Sequence, residues 1–234
     1  RNLHFYVDFE STLLQPERVL GHAAAVTGTP ASAVISYLGR VGTFDGSGDF
    51  VTYAGYPTAL SARDVTFVAT VRWRAAEPAT VSDVLLSTSN TNASFRLECG
   101  GGGGGAPLND KLIFTKGGVV NVNSGIVIAK NVPYVLLASY NDGTGDIHFV
   151  ARRLDTQSIQ IATANNTQAD TDGNGTWAVG GMTAFSPGFE WLGEIGLCVI
   201  TLAYHPMAAL IDWARQPYAF LQPVPAVTYV FMRT

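Results

Sequence analysis

Charge is the commodity this sequence has least of. Asp, Glu, Lys and Arg make up 14% of its 234 residues, against roughly 25% in ordinary soluble domains. A lone protein uses surface charge to hold its neighbours apart, so the deficit points to a large core, to outer faces covered by protein, or to both. The 14 basic residues are scattered, only Arg152 and Arg153 being adjacent, and the net charge is −4. Without a basic stripe to neutralise phosphates, nucleic acid is not expected as a partner. Long apolar runs are missing too. Val135-Leu136-Leu137-Ala138 and Leu197-Cys198-Val199-Ile200 fall far short of the roughly 20 residues a membrane helix needs, so no membrane contact is expected. There are two cysteines, Cys99 and Cys198, and no histidine stands at zinc-site spacing from either. They read as buried small apolar residues, with a disulfide as the alternative. The four histidines, His4, His22, His148 and His205, have no Gly-x-Ser-x-Gly nucleophile motif to serve and read as structural or surface residues.

What is present is β-sheet. Short segments rich in Val, Ile, Thr, Phe and Tyr alternate with Gly, Asn, Asp and Ser clusters, the pattern of an antiparallel all-β domain. In DVTFVATVRW the residues Val65, Phe67, Ala69, Val71 and Trp73 share one face, and Thr66, Val68, Thr70 and Arg72 the other. SFRLEC places Phe95, Leu97 and Cys99 inward and Arg96 and Glu98 on a face expected to be wet. Asn141-Asp142-Gly143-Thr144-Gly145 predicts a hairpin turn, and Gly117-Gly118 a second. Further strands are expected at 3–9, 42–44, 50–53, 84–87, 159–164, 176–181 and 191–202, about a dozen in all, enough for a two-sheet sandwich. Only HPMAALIDWAR has helical spacing, with Met207, Leu210, Ile211 and Ala214 on one side, and it predicts a short cap on the sandwich.

Residues with chemistry are few. Glu190 and Glu194 could flank a substrate from one side of a strand, but the Glu-x-Asp-x-x-Glu strand of jelly-roll glycanases is absent. DTDGNG offers Asp170, Asp172 and Asn174 as calcium ligands; the residue where an EF-hand needs its bidentate Glu is Gly181, so the alternative is an ordinary polar strand connection. The run Gly100 to Gly105 is followed by no Lys-Ser/Thr and makes no phosphate cradle; it is a hairpin loop or a place of close backbone approach. The sequons at Asn92, Asn165 and Asn174 carry meaning only in a secretory context.

Three stretches in order resemble the laminin-G-like members of the concanavalin-A-like jelly rolls: VGTFDGSGDFVTYAG with LSARDVTFVATVRWRAAEP, then VPYVLLASYNDGTGDIHFVARRL, then WAVGG with FEWLGEIGLCVITLAYHP. The opening LHFYVDFEST is similar to the family's first strand, and the likeness spans about residues 3 to 211. It implies an antiparallel jelly-roll sandwich with a short C-terminal helix, and family members that hold calcium at the sandwich rim lend the DTDGNG loop its interest. In phage virion proteins that use this jelly roll, the domain is followed by a helix, an Asn-Pro-Trp-like segment and a proline-bounded aromatic tail. LIDWARQPYAFLQPVPAVTYVF is similar, with Gln216-Pro217-Tyr218 in place of Asn-Pro-Trp.

The expected organisation is therefore a jelly roll over residues 1–213 and an anchoring tail over 214–234. The expected role is a non-enzymatic virion protein of a bacteriophage, decorating the head or belonging to the tail. It would meet other virion proteins through Trp213, Tyr218, Phe220, Leu221, Tyr229 and Phe231 and form homo-oligomers, trimers or other rings among them. The alternative is a carbohydrate-binding module in which Tyr53, Tyr56 and Trp177 stack on sugar rings. No cofactor is expected apart from the calcium that Asp170, Asp172 and Asn174 could hold.

Overall fold

The structure, a computed structural model, describes residues 3–9, 18–59, 63–74, 82–88, 95–100, 110–116, 120–167, 175–182 and 190–218. Fifteen strands and one helix occur among them. In chain order the first eight strands are β1 (Leu3–Asp8), β2 (Ala24–Thr27), β3 (Ala31–Ile35), β4 (Gly39–Asp45), β5 (Phe50–Ala54), β6 (Val65–Trp73), β7 (Ser82–Ser87) and β8 (Phe95–Gly100). They are followed by β9 (Lys111–Lys116), β10 (Val120–Val127), β11 (Pro133–Tyr140), β12 (Asp146–Arg153), β13 (Ile159–Asn165), β14 (Thr176–Val179) and β15 (Leu192–Thr201), then the helix α1 (Met207–Arg215). β2 and β3 are the strands that the sequence pattern does not predict. Each is short, and their exposure alternates between half-buried and open without a run of large apolar side chains.

The strands form two antiparallel sheets. One holds eight strands in the order β13-β12-β11-β6-β15-β4-β3, with β1 paired to β15; the other holds seven in the order β10-β9-β8-β7-β14-β5-β2. β15 can serve both β4 and β1 on one edge because β4 pairs its first half, Leu192 to Ile195, and β1 its second, from Leu197 to Thr201. The inward faces meet in one core that includes Phe5, Phe67, Trp73, Phe95, Leu97, Phe114, Tyr140, Trp177, Trp191 and Cys198. Cys99 and Cys198 are buried there as free thiols. The strong β11–β12 hairpin turns where expected: Gly145, at φ 75°, lets its N–H donate to the Asn141 carbonyl at 2.8 Å while the Asn141 side chain accepts from the Thr144 N–H at 3.1 Å.

The outer face of the eight-stranded sheet has a core of its own. Val68, Val135, Leu137, Val150, Leu197 and Val199 are apolar on this side too, and Leu210 and Ala214 of α1 are buried against the patch. The Arg152 guanidinium then donates to the carbonyls of Ala214 and Arg215 at 2.8 and 2.6 Å. It satisfies the open carbonyls of the helix C-terminus and places a cation at the negative end of the helix dipole. Because Ala214 is buried and α1 runs through Arg215, the packed unit extends past the boundary expected at 213.

Candidate functional site

The outer face of the seven-stranded sheet is built differently. Register places Ala25 opposite Thr52, Thr52 opposite Ala178, Ala178 opposite Ser87, Ser87 opposite Arg96, Arg96 opposite Thr115 and Thr115 opposite Asn121. One row of small and polar residues thus crosses all seven strands. A second row beside it carries Val84, Glu98, Ile113 and Asn123. At the centre, Arg96 Nε lies 3.1 Å from Glu98 Oε1, and Arg96 Nη1 approaches the Met182 sulfur at 3.3 Å. The Thr115 hydroxyl bridges the Glu98 carboxylate and the Asn121 side-chain amide, the latter at 2.8 Å.

The expectation of a wet face at Arg96 and Glu98 is corrected here, since they are only 4% and 1% exposed. Alternation fixed their side of the strand, but the ion pair and Thr115 supply the partners that let charge leave water. Access improves toward the ends of the row. Asn121 and Thr52 are half-buried, and Asn123 and Ala25 are exposed. The V-N-V-N alternation of Val120 to Asn123 was a readable signal for this polar end; its continuity with Arg96, which depends on strand order, was not.

The three aromatics expected to stack on sugars lie elsewhere. Tyr53, Tyr56 and Trp177 are 1%, 5% and 0% exposed. Tyr53 and Trp177 are register partners on the inward faces of β5 and β14, Tyr56 stacks on Trp177 at 4.0 Å and 10°, and Phe5 meets Tyr53 edge-on at 5.3 Å. Stacking interactions of this size stabilise the core, and the rings cannot reach a sugar outside it.

Glu190 and Glu194 are not a glycanase pair. Glu190 bridges to Val84 on the seven-stranded sheet, whereas Glu194 belongs to β15 on the eight-stranded one. Between them Gly193, at φ 145°, brings the backbone so close that a Cβ there would sit 2.2 Å from the Arg72 carbonyl. Glu194 is clamped by Arg72, at 2.8 and 3.0 Å, and by Arg74 at 3.0 Å, so both of its carboxylate oxygens are held in ion pairs.

A second polar cluster sits at the end of the sandwich beside Trp73. The Trp73 indole N–H donates to Asp83 at 2.6 Å, and the Lys130 ammonium lies 5.6 Å from the Trp73 ring centre and 3.4 Å from Asp110. Burial pushes the Asp83 carboxyl up to about 6, the charge of Glu190 adds to the rise, and the Trp73 bond, the Leu192 backbone and Lys130 oppose it. Asp170, Asp172 and Asn174 lie outside the described residues, and among those described no group of three or more His, Cys, Asp or Glu side chains is placed to hold a metal. Of the expected partner-binding residues, Trp213 packs on the apolar patch with its ring 4.4 Å from that of His205. Tyr218 is 43% exposed, and Phe220, Leu221, Tyr229 and Phe231 lie outside the described residues. Among the described residues no helix is long and apolar enough to cross a membrane.

No protein-family model matches the sequence, and no curated protein matches it. Solved structures match in fold. Domain 4 of AbnA, an extracellular arabinanase from Geobacillus stearothermophilus, solved in complex with arabinotriose, aligns with a TM-score of 0.62 at 14% identity, covering 91% of this chain and 98% of that one. The binding domain of Paraclostridial Mosquitocidal Protein 1 aligns at 0.65 and 8% identity over 93% of this chain, which spans about half, 53%, of that one. The heptameric SAP-like pentraxin of Limulus polyphemus aligns at 0.53 and 14% identity, covering 82% and 80%. The fold is therefore a lectin-like, two-sheet antiparallel jelly roll with, among the described residues, one short helix after the last strand.

Proposed function

We propose that the protein is a non-enzymatic glycan-binding module. The observation that carries this reading is the polar row on the outer face of the seven-stranded sheet, within a fold shared with a domain solved on arabinotriose. Sugar hydroxyls are recognised by planar amides, hydroxyls and charged forks held rigidly on a scaffold. Asn121 and Asn123 present amides at the accessible end of the rows, and Arg96, Glu98 and Thr115 hold Asn121 in place from behind. Calorimetric titration with arabinotriose and a wider glycan array tests it. Saturable heat with a Kd of about 1 mM or tighter, lost in Asn121→Ala/Asn123→Ala while circular dichroism still shows the folded sandwich, is the expected result. An array without hits and no heat up to that concentration would reject the reading.

A virion role is a second proposal that can coexist with the first. It is favoured by the low charge and by Tyr218, a large side chain left 43% exposed just after α1, where the phage-like ending begins. Particles assembled with a chain cut after Tyr218 should lack the protein, and normal incorporation would refute an anchoring tail.

A further inference from the structure

We propose that β13 is an assembly edge at which a second copy of this chain adds its own β13, antiparallel, about a two-fold axis through Ala162. β13 closes one end of the eight-stranded sheet, and among the described residues no strand pairs with its far side. Proteins usually protect such an edge with charge, proline, a bulge or shortness. Ile-Gln-Ile-Ala-Thr-Ala-Asn has none of these over seven residues, its register with β12 is unbroken, and Ile161 is 56% exposed. The other terminal strands are weaker platforms: β2 and β3 have four and five residues, and β10 is interrupted between Asn123 and Val127 around Gly125 at φ 76°.

The hydrogen-bond parity of this edge suits a copy of itself. The Asn166 N–H donates to the Gly145 carbonyl at 2.8 Å and the Arg153 N–H to the Ser158 carbonyl at 2.9 Å. These bonds fix the alternation, so Gln160, Ala162 and Ala164 direct their backbone groups to β12, and Ile159, Ile161, Thr163 and Asn165 direct theirs off the edge. Antiparallel pairing centred on Ala162 sets Ile159 against the second copy's Asn165 and Ile161 against its Thr163. All four outward residues become hydrogen-bonded pairs, and two β-branched side chains meet on one face. The signs of the charges fit this direction. Arg152 stands beside Ile159 and Asp146 beside Asn165, so each basic corner shares a row with the second copy's acidic corner, about 14 Å away at ordinary strand spacing, a distance at which salt screens most of the attraction. A parallel arrangement would align like with like. The resulting dimer holds two glycan-binding rows and would gain avidity on a repeating ligand, although the edge itself does not depend on the glycan reading.

The test is light scattering of the full chain from about 1 to about 100 µM, beside Ile161→Lys, Thr163→Pro and Val34→Lys. Thr163 points its N–H off the edge, so proline there removes only an outward donor and leaves the β12 ladder intact. The wild type and the Val34→Lys control on β3 are expected at twice 24.8 kDa, and the two β13 variants at the monomer mass with unchanged circular dichroism and melting. Should one β13 variant misfold, the other still decides. A wild type monomeric throughout, a trimer, or a dimer that survives both β13 substitutions overturns the proposal.

Discussion

The two outer faces of the sandwich solve one problem in opposite ways. On the eight-stranded sheet the face away from the core carries an apolar patch on which α1 lies with Leu210 and Ala214, and beside it a buried charge, Glu194, held by Arg72 and Arg74. On the seven-stranded sheet the corresponding face carries the small and polar row, with Val84 and Ile113 beside it, and the ion pair of Arg96 with Glu98 is buried there together with Thr115 and Ser87. The first face is held by area removed from water, which tolerates imprecision. The second is held by an ion pair and hydroxyl hydrogen bonds, where a single missing partner leaves a charge stranded.

That difference can be broken from the polar side first. Glu98→Ala should cost about 4 kcal/mol in denaturant unfolding, because it strands Arg96 in a buried site. Arg96→Met/Glu98→Leu should recover most of the loss, and equal costs for the single and double variants would mean that the pair is not coupled. Leu210→Ala, on the apolar side, should cost about 3 kcal/mol through a cavity under α1, with no comparable rescue from a partner substitution.

Asp83 sharpens the contrast at the rim. Its folded-state value of about 6 lies above the ordinary 3.8, so the folded protein binds the extra proton between these limits. Stability therefore falls as pH rises from about 4 to about 6, by roughly 3 kcal/mol at most, and is level above that window. Asp83→Asn keeps an acceptor for the Trp73 indole and should flatten this slope in melts run across the window. The smallest effect expected is that of Arg152→Ala, about 1 kcal/mol from the lost contact with the helix C-terminus. Hydrogen exchange should locate the loosening in 207–215 and leave β8 and β9 protected.

Much of the fold was readable because its signals are local. The alternation in β6, the Asn-Asp-Gly-Thr-Gly turn and the spacing of Leu210, Ile211 and Ala214 each depend on a few neighbouring residues, and the structure has the strand, hairpin and helix there. β2 and β3 escaped because they are short and lack large apolar side chains. The site was less readable. Tyr53, Tyr56 and Trp177 carry the residue types of a sugar platform, yet all three lie inside. Arg96 and Glu98 look like solvated surface, yet they are buried and anchor the polar row.

Residue type and spacing were enough to say that strands would alternate, where tight turns would fall, that a short helix would follow the last strand, and that little charge was available for open surface. Packing in three dimensions settled which alternate face became core, that Glu190 and Glu194 part to different sheets, and that residues from Ala25 to Asn121 stand in one row. The physical reason is that alternation assigns side chains to two sides of a strand without saying what covers either. Cross-strand register joins residues far apart in the chain, and burial is settled only when the sheets close on each other.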